Sequence, residues 1–412
     1  MTALWLRRPL LRVFPAGGPR SSGGWMSTSF LAAASLLFIG LAAHPFTTYP
    51  LSLYLMRKFG RGRPQTRIDR TGTGLSFAIC MSVYNEESCI ERKVVNLLEL
   101  AATVERCSIH IYADAPSDRT VELLQPYADR IDLVLGRERR GKTCGLNLLM
   151  KRVEADVVLF TDANVIIDPA ALQRMRPHFD DPKVGCVCGN LIYVNGDETP
   201  TSASGALYWR IEEAIKQLES DTFSVIGADG SLFAIRRECH RPPPDDIIDD
   251  FYVSMMILCN GYTVVREPAA LAFERSATGS GEEFRRKVRI ACQAFNVHRL
   301  VWPRLGYNPR LLYFYFSHRL LKWLMIYNIA IGGALMLWAL ATAFSPGSVT
   351  LLSVALALTM AALAACGSRL VQNGLAMLLA CTGAGLGVWR SIRGDRFQVW
   401  QPALSPRNPV GD

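Results

Sequence analysis

The chain has 412 residues, half of them hydrophobic, and 45 Lys and Arg against 36 Asp and Glu leave a net charge of +9. That is long for one ordinary domain and apolar for a purely soluble protein, so a soluble part joined to a membrane part is the economical organisation. The positive charge does not call for nucleic acid: Arg57, Lys58, Arg61, Arg63, Arg67 and Arg70, and later Arg390, Arg393 and Arg396, sit beside apolar stretches, where basic residues anchor membrane proteins.

Residues 1–25 form a basic arm with Arg7, Arg8, Arg12 and Arg20. The apolar run behind it is long, lacks an A-x-A exit and ends in a basic cluster, so it reads as a retained membrane helix over 26–56, bent at His44-Pro45. More basic residues follow this helix than precede it, which places the next part in the cytosol. Eleven cysteines without a C-x-x-C pair read as reduced thiols in that compartment.

A polar linker over 57–75 leads to a soluble domain over 76–300. Apolar runs at 77–83, 109–113, 131–135, 157–161 and 184–188 alternate with helical patterns such as Val94, Leu97, Leu98, Ala101 and Leu146, Leu149, Met150, Val153. Such alternation predicts an α/β fold with a mostly parallel sheet covered on both faces. Beyond Gly189 the pattern predicts a helix over 209–219, a strand over 231–236, a helix opening at Asp249-Asp250 and a basic amphipathic helix over 282–298. An interfacial segment over 301–320 carries Gly306-Tyr307 and Tyr313-Phe314-Tyr315-Phe316. Residues 321–389 hold two or three membrane helices, the third being rich in glycine with Gln372 and Asn373, and 390–412 form a basic tail on either side of the membrane.

Ligands of parallel sheets bind at the carboxyl ends of the strands, and there the chain places Asn85-Glu86, Asp114 and Asp162. Transfer from a nucleotide-diphosphate sugar needs carboxylates for a divalent metal, cations for the diphosphate and a carboxylate base. Asp162-Ala163-Asn164 has the spacing of D-x-D after a strand, although an isolated Asp-x-Asn is an ordinary turn. One of Asp249-Asp250 is explained as a helix cap; the second suits a base, assigned to Asp250. Arg285, Arg286, Lys287 and Arg289 read equally as a solvated face or as diphosphate partners. A rival reading is a P-loop NTPase, since the stretch from Gly136 to Gly141-Lys142-Thr143 matches the Walker A pattern. It follows the third strand, is filled by Arg137-Glu138-Arg139-Arg140, and leaves Asp114 and Asp250 without a task. Histidine spacing offers no metal site.

Taken in order, these residues resemble membrane-bound family 2 glycosyltransferases, the group of cellulose, hyaluronan and poly-N-acetylglucosamine synthases. Tyr84-Asn85-Glu86 is similar to the family's Y-N-E motif, Asp114 to Thr120 to its D-G-S-x-D-x-T loop, and Gly141-Lys142-x-x-Gly145-Leu146-Asn147 to its G-K-x-x-A-L-N segment. Asp162-Ala163-Asn164 stands at D-x-D and Asp249-Asp250 at the E-D pair with the base; Ser317 to Trp323 resembles the membrane-entry segment and Val399-Trp400-Gln401-Pro402 the tail. The resemblance implies a GT-A, Rossmann-like nucleotide-sugar fold, a UDP-sugar donor, magnesium or manganese, and a glycan or lipid-linked acceptor, with export or synthase subunits as possible partners and no nucleic acid. It implies a multi-pass protein of the inner (plasma) membrane with a cytosolic catalytic domain. By the same resemblance Glu86 and Asp114 contact the base, Lys142 the nucleotide, Asp162 the ribose-diphosphate and, with Asn164, the metal, while Arg289 stabilises the departing diphosphate, with Arg286 and Asp249 in support, Asp249 as the neighbour of the base or a cap. Asn164 removes the second acid of D-x-D, and Arg286-Lys287-Val288-Arg289-Ile290 keeps the Arg of Q-x-x-R-W but neither its Gln nor its Trp, which leaves polymerisation and single addition both open. A non-catalytic membrane scaffold of the same fold is the remaining alternative.

Overall fold

The computed structural model describes residues 22–60, 74–195, 200–275, 279–306, 308–366 and 368–399. The basic arm to residue 21, linker residues Arg61, Arg63, Arg67 and Arg70, Tyr307, and the tail motif from Trp400 onward lie outside the described residues.

Eight strands form one sheet: β1 (Phe77–Val83), β2 (Cys107–Ala113), β3 (Asp132–Leu135), β4 (Val157–Thr161), β5 (Ile166–Ile167), β6 (Val184–Tyr193), β7 (Leu232–Arg236) and β8 (Thr263–Glu274). Their order is β3-β2-β1-β4-β7-β6-β8-β5. Strands β1 to β4 pair in parallel, as do β6 and β8, while β7 runs antiparallel between β4 and β6. The first half is legible because side chains alternate across a strand: Phe77, Ile79, Met81 and Val83 enter one core, Ala78 and Cys80 the other. The Ile90–Ala101 helix covers the first face with Ile90, Val94, Leu97 and Leu100; the Lys142–Met150 and Asp249–Cys259 helices cover the second.

Past Gly189 the expected helices and strand are present with other bounds, and one long strand is added. β6 continues to Tyr193, the helix there spans Pro200–Thr222, and the basic helix spans Ser280–Leu305. The twelve-residue β8 is not foreseen, because Arg266-Glu267-Pro268 interrupts its apolar run.

The N-terminal apolar stretch divides at His44–Phe46, where Pro45 removes a backbone donor. Ser22–Ala43 is one helix; in the next, Thr48–Phe59, Tyr49 and Leu53 are buried in the core of the soluble part. Among the described residues three helical stretches are long and apolar enough to cross a membrane: Ser27–Phe46, Met325–Ala343 and Pro346–Ala365. The first and second pack closely, since Ser35 Oγ donates to Gly332 O at 2.7 Å and a Cβ on Gly332 would meet Ile39 Cγ1 at 2.9 Å. In Arg369–Ile392 the apolar stretch is only Met377–Ile392, and Gly383 and Gly387 serve contact with the Ser280–Leu305 helix: a Cβ on Gly387 would lie 2.7 Å from Ala291 Cβ.

His318, expected as an interfacial contact, is instead fully buried, with Nδ1 2.7 Å from Glu219 and Nε2 3.1 Å from Glu212. Tyr49 donates to Glu219 at 2.6 Å, Lys322 and Arg319 pair with Glu212 at 2.8 and 3.2 Å, and Arg57 pairs with Asp221 at 3.0 Å. Burial alone would raise both glutamic acids; Lys322, His318 and Arg319 outweigh it at Glu212, and His318 and Tyr49 at Glu219, so both stay below the usual carboxylate range.

Candidate active site

The carboxyl ends of β1, β2 and β4 carry the polar residues. After β1, Asn85 adopts φ +52°, and its side chain accepts from Ser117 N at 2.8 Å. Glu86 N donates to Thr120 Oγ1 at 2.8 Å and Glu87 N to Asp118 at 3.0 Å, so the 84–87 and 114–120 loops interlock. The Arg139 guanidinium lies 3.6 Å from the centre of the Tyr84 ring.

Asp114, buried at the end of β2, accepts from Arg140 N at 2.7 Å and Gly141 N at 2.8 Å. These are the amides that a P-loop would turn toward phosphate, and here they are spent on a carboxylate. β3 is moreover the sheet edge. Gly141, at φ +92°, then opens the helix that projects Lys142 inward.

Lys142 Nζ lies 2.7 Å from Asp162 Oδ1 and 3.7 Å from Asp249 Oδ2. Burial works to lower its pKa, but Asp162, Asp249 and Asp250 outweigh burial and raise it. A Cβ built on Gly230 would meet Lys142 Nζ at 3.0 Å, Asp250 Oδ2 at 3.1 Å and Asp162 Oδ2 at 3.6 Å. Glycine therefore leaves a cradle onto which a cation and two carboxylates from three separate elements converge. Burial, then the neighbouring Asp249, pushes Asp250 up to about 7, and burial raises Asp249 as well.

Arg289 stands within electrostatic reach of Asp162 and Asp250, its pKa lowered to about 10 by burial and by Arg286. Arg286 is held by Glu283 at 2.9 Å and reaches the Tyr193 hydroxyl at 3.5 Å. Glu86 is set apart from the cradle, buried at the β1 end, where Cys89 Sγ lies 3.4 Å from its carboxylate.

Three residues unforeseen in the sequence join the site. Glu274, at the end of β8, accepts from Asn164 Nδ2 at 3.0 Å, so an acid stands in space beside the position where D-x-D has its second one. Asp229 pairs with Lys216 at 3.1 Å and with Ser231, holding the turn before β7 that carries Gly230. Lys93 lies under the Asp162 turn. All three come from segments without motif spacing, so only the fold brings them in.

Oxygen donors of this kind suit a hard divalent cation. Asp162 faces the cradle, and Asp249 Oδ2 is buried with no hydrogen bond. Among the described residues no group of three or more His, Cys, Asp or Glu side chains is arranged to hold a metal by itself. The residues present therefore fit a cation shared with a phosphate-bearing substrate rather than a cage made by protein alone.

Residues 78–241 match the family model Glycosyl transferase family 2. The chain carries a family 2 glycosyltransferase domain. The chain is 28% identical over 236 residues to poly-β-1,6-N-acetyl-D-glucosamine synthase of Staphylococcus aureus strain COL, covering 56% of each chain. With the synthase of the same name from Staphylococcus epidermidis it shares 26% over 248 residues, 58% of this chain and 59% of that one. The matched stretch thus spans somewhat over half the length of these relatives. In fold the chain is similar to a mannosyltransferase from Pyrobaculum calidifontis solved with GDP-Man and Mn2+, with TM-score 0.67 over 88% of this chain and 99% of that one, at 21% identity. The mixed, mostly parallel sheet is thus the GT-A fold.

Proposed function

We propose that this transferase moves a sugar, with inversion, from a nucleoside diphosphate carrier of the UDP type to a glycan or lipid-linked acceptor at the membrane, in exopolysaccharide synthesis. The convergence of Lys142, Asp162 and Asp250 on Gly230 carries this reading. Asp250, with its pKa near neutrality, takes the proton from the acceptor hydroxyl, which attacks the anomeric carbon directly. Lys142 and Arg289 are the cations for the charge that grows on the departing diphosphate. Asp162, with Asn164 and Glu274 beside it, would hold a divalent magnesium or manganese ion, which when bound neutralises diphosphate charge. Asp114 orders the Arg140-Gly141 loop through two amides, and Glu86 lines the base end of the site.

The three candidate spans support a multi-pass protein with the catalytic part on the cytosolic side, as the basic residues after the first span favour. Crossing out with Met325–Ala343 and back with Pro346–Ala365 returns the chain to that side, in keeping with the contact of Gly387 on the Ser280–Leu305 helix and of Gln398 Nε2 on Arg140 O at 3.0 Å.

Thermal stabilisation of the detergent-purified protein by UDP, GDP and ATP, each with and without Mn2+, tests the donor class. Metal-dependent stabilisation by UDP supports the proposal and makes UDP-N-acetylglucosamine the first donor to assay. GDP alone moves the donor class toward GDP-mannose, and a response to ATP alone overturns the reading in favour of an NTPase.

A further inference from the structure

Lys93 belongs to the Ile90–Ala101 helix, whose other inward residues, Ile90, Val94, Leu97 and Leu100, form an apolar core with β1 and β4. Its side chain has no exposed surface. An ammonium in such a place is strongly unfavourable unless its partners or its task compensate. Nζ donates to Thr161 Oγ1 at 3.0 Å and to Val165 O at 2.5 Å, the residues flanking Asp162-Ala163-Asn164 on either side. Thr161 Oγ1 in turn donates to Ser231 O at 2.8 Å, the residue after Gly230. One helical turn along, Asn96 donates to Ile167 O at 2.6 Å and accepts from Ile167 N at 2.8 Å. Two inward side chains thus hold the stretch from 161 to 167 from beneath, and Asn96 does so without charge. Hydrogen bonds alone therefore do not explain a lysine at position 93: burial pulls its pKa down to about 7, and the carboxylate that works against burial to favour the charged form is Asp162.

We propose that Lys93 is a positioning residue of the donor site: an internal cation that fixes the Asp162–Asn164 turn and offsets its negative charge from below, so that the turn accepts a nucleoside diphosphate. The neutral Asn164 works in the same direction, since an amide in place of an acid and a cation beneath both make the turn less repellent to phosphate. This rests on the donor-site reading of Asp162.

The test compares full-length wild type with Lys93→Met, Lys93→Gln and Asn96→Ala, measuring apparent Tm and the affinity for UDP in the presence of Mn2+ by calorimetry. Met keeps the length of the stem and removes the charge. Its Tm is expected at or above that of wild type, because a buried ion is replaced by an apolar group, while UDP affinity falls by about tenfold or more. Lys93→Gln is expected to lose affinity less, and Asn96→Ala to lose Tm with affinity within about twofold of wild type. A folded Lys93→Met protein that binds UDP like wild type overturns the proposal, as does a fall in Tm with affinity unchanged. If Lys93→Met does not fold, Lys93→Gln decides: wild-type affinity overturns the proposal and a clear loss supports it. Failure of wild type itself to bind UDP removes the donor reading and this inference together, whereas UDP binding equal in wild type and variants removes the inference alone.

Discussion

A general base must exchange its proton near the working pH, which an exposed aspartate with a pKa near 4 does poorly. Asp250, the base we propose, is suited to that need at about 7, raised by burial first and the neighbouring Asp249 second. Asp250→Asn is expected to abolish transfer while leaving UDP affinity within about twofold, checked by product assay and calorimetry on the same preparation. Because a protonated Asp250 cannot take the acceptor's proton, kcat/KM of the wild type should fall about tenfold per pH unit below about 7, and Asp249→Asn should shift this limb to lower pH. The same raised pKa makes a stability prediction of definite sign. The folded state holds a proton that the unfolded chain has released between about 4 and 7, so the contribution of Asp250 to stability declines as pH rises through that window. Melting curves of wild type minus Asp250→Asn across pH 4 to 8 would show it. At this scale Asp114, Lys142, Asp162 and Asp250 were legible because each ends a strand or opens a helix with recognisable spacing. Glu274 was not, since it is separated from Asn164 by 110 positions and lies on a strand whose apolar pattern is broken at Arg266-Glu267-Pro268.

At the scale of elements, the Lys142–Met150 helix sits directly on β1 and β2 through Gly145. A Cβ there would overlap the Tyr112 ring and lie 2.8 Å from Ser82 Oγ. The large Tyr112 and the small Gly145 thus form a matched pair. Gly145→Ala should destabilise the protein by about 1–3 kcal/mol and weaken UDP binding by tilting Lys142, and Tyr112→Leu in the same chain should recover part of the loss. Denaturation of the two single variants and the double variant measures the coupling; additive effects would refute the contact. β1 to β4 and their helices could be read from period-two and helical patterns, whereas β5, two residues long, carries too little pattern to be seen. The break of the N-terminal helix at Pro45 was readable, but the burial of Tyr49 and Leu53 in the core of the soluble part was not, because apolar residues look alike facing lipid or protein.

Across the whole molecule, a buried cluster of charged and hydrogen-bonding side chains joins the sheet domain to the segments beside the candidate spans. Glu212 and Glu219 are buried carboxylates whose partners, His318, Arg319, Lys322 and Tyr49, all come from segments next to candidate spans. A truncation ending at residue 300 would remove His318, Arg319 and Lys322, leaving Glu212 buried without its cations and Glu219 with only the hydrogen bonds of Tyr49 and Ile226 N, a loss of several kcal/mol. Such a fragment is expected to aggregate or melt well below the full chain, and a fragment with the same Tm and UDP affinity would refute the view that the cluster is structural. Arg319 extends the linkage toward the catalytic cradle, donating to Ile226 O at 2.6 Å and Gly227 O at 3.1 Å, shortly before Gly230.

Seen as heredity rather than as stability, the same cluster makes the anchor and the catalyst a single inheritance. A chimaera that takes its membrane segments from a relative must bring along answers to Glu212 and Glu219, so exchange of anchors between such enzymes should succeed only when the helix at 200–222 travels with them.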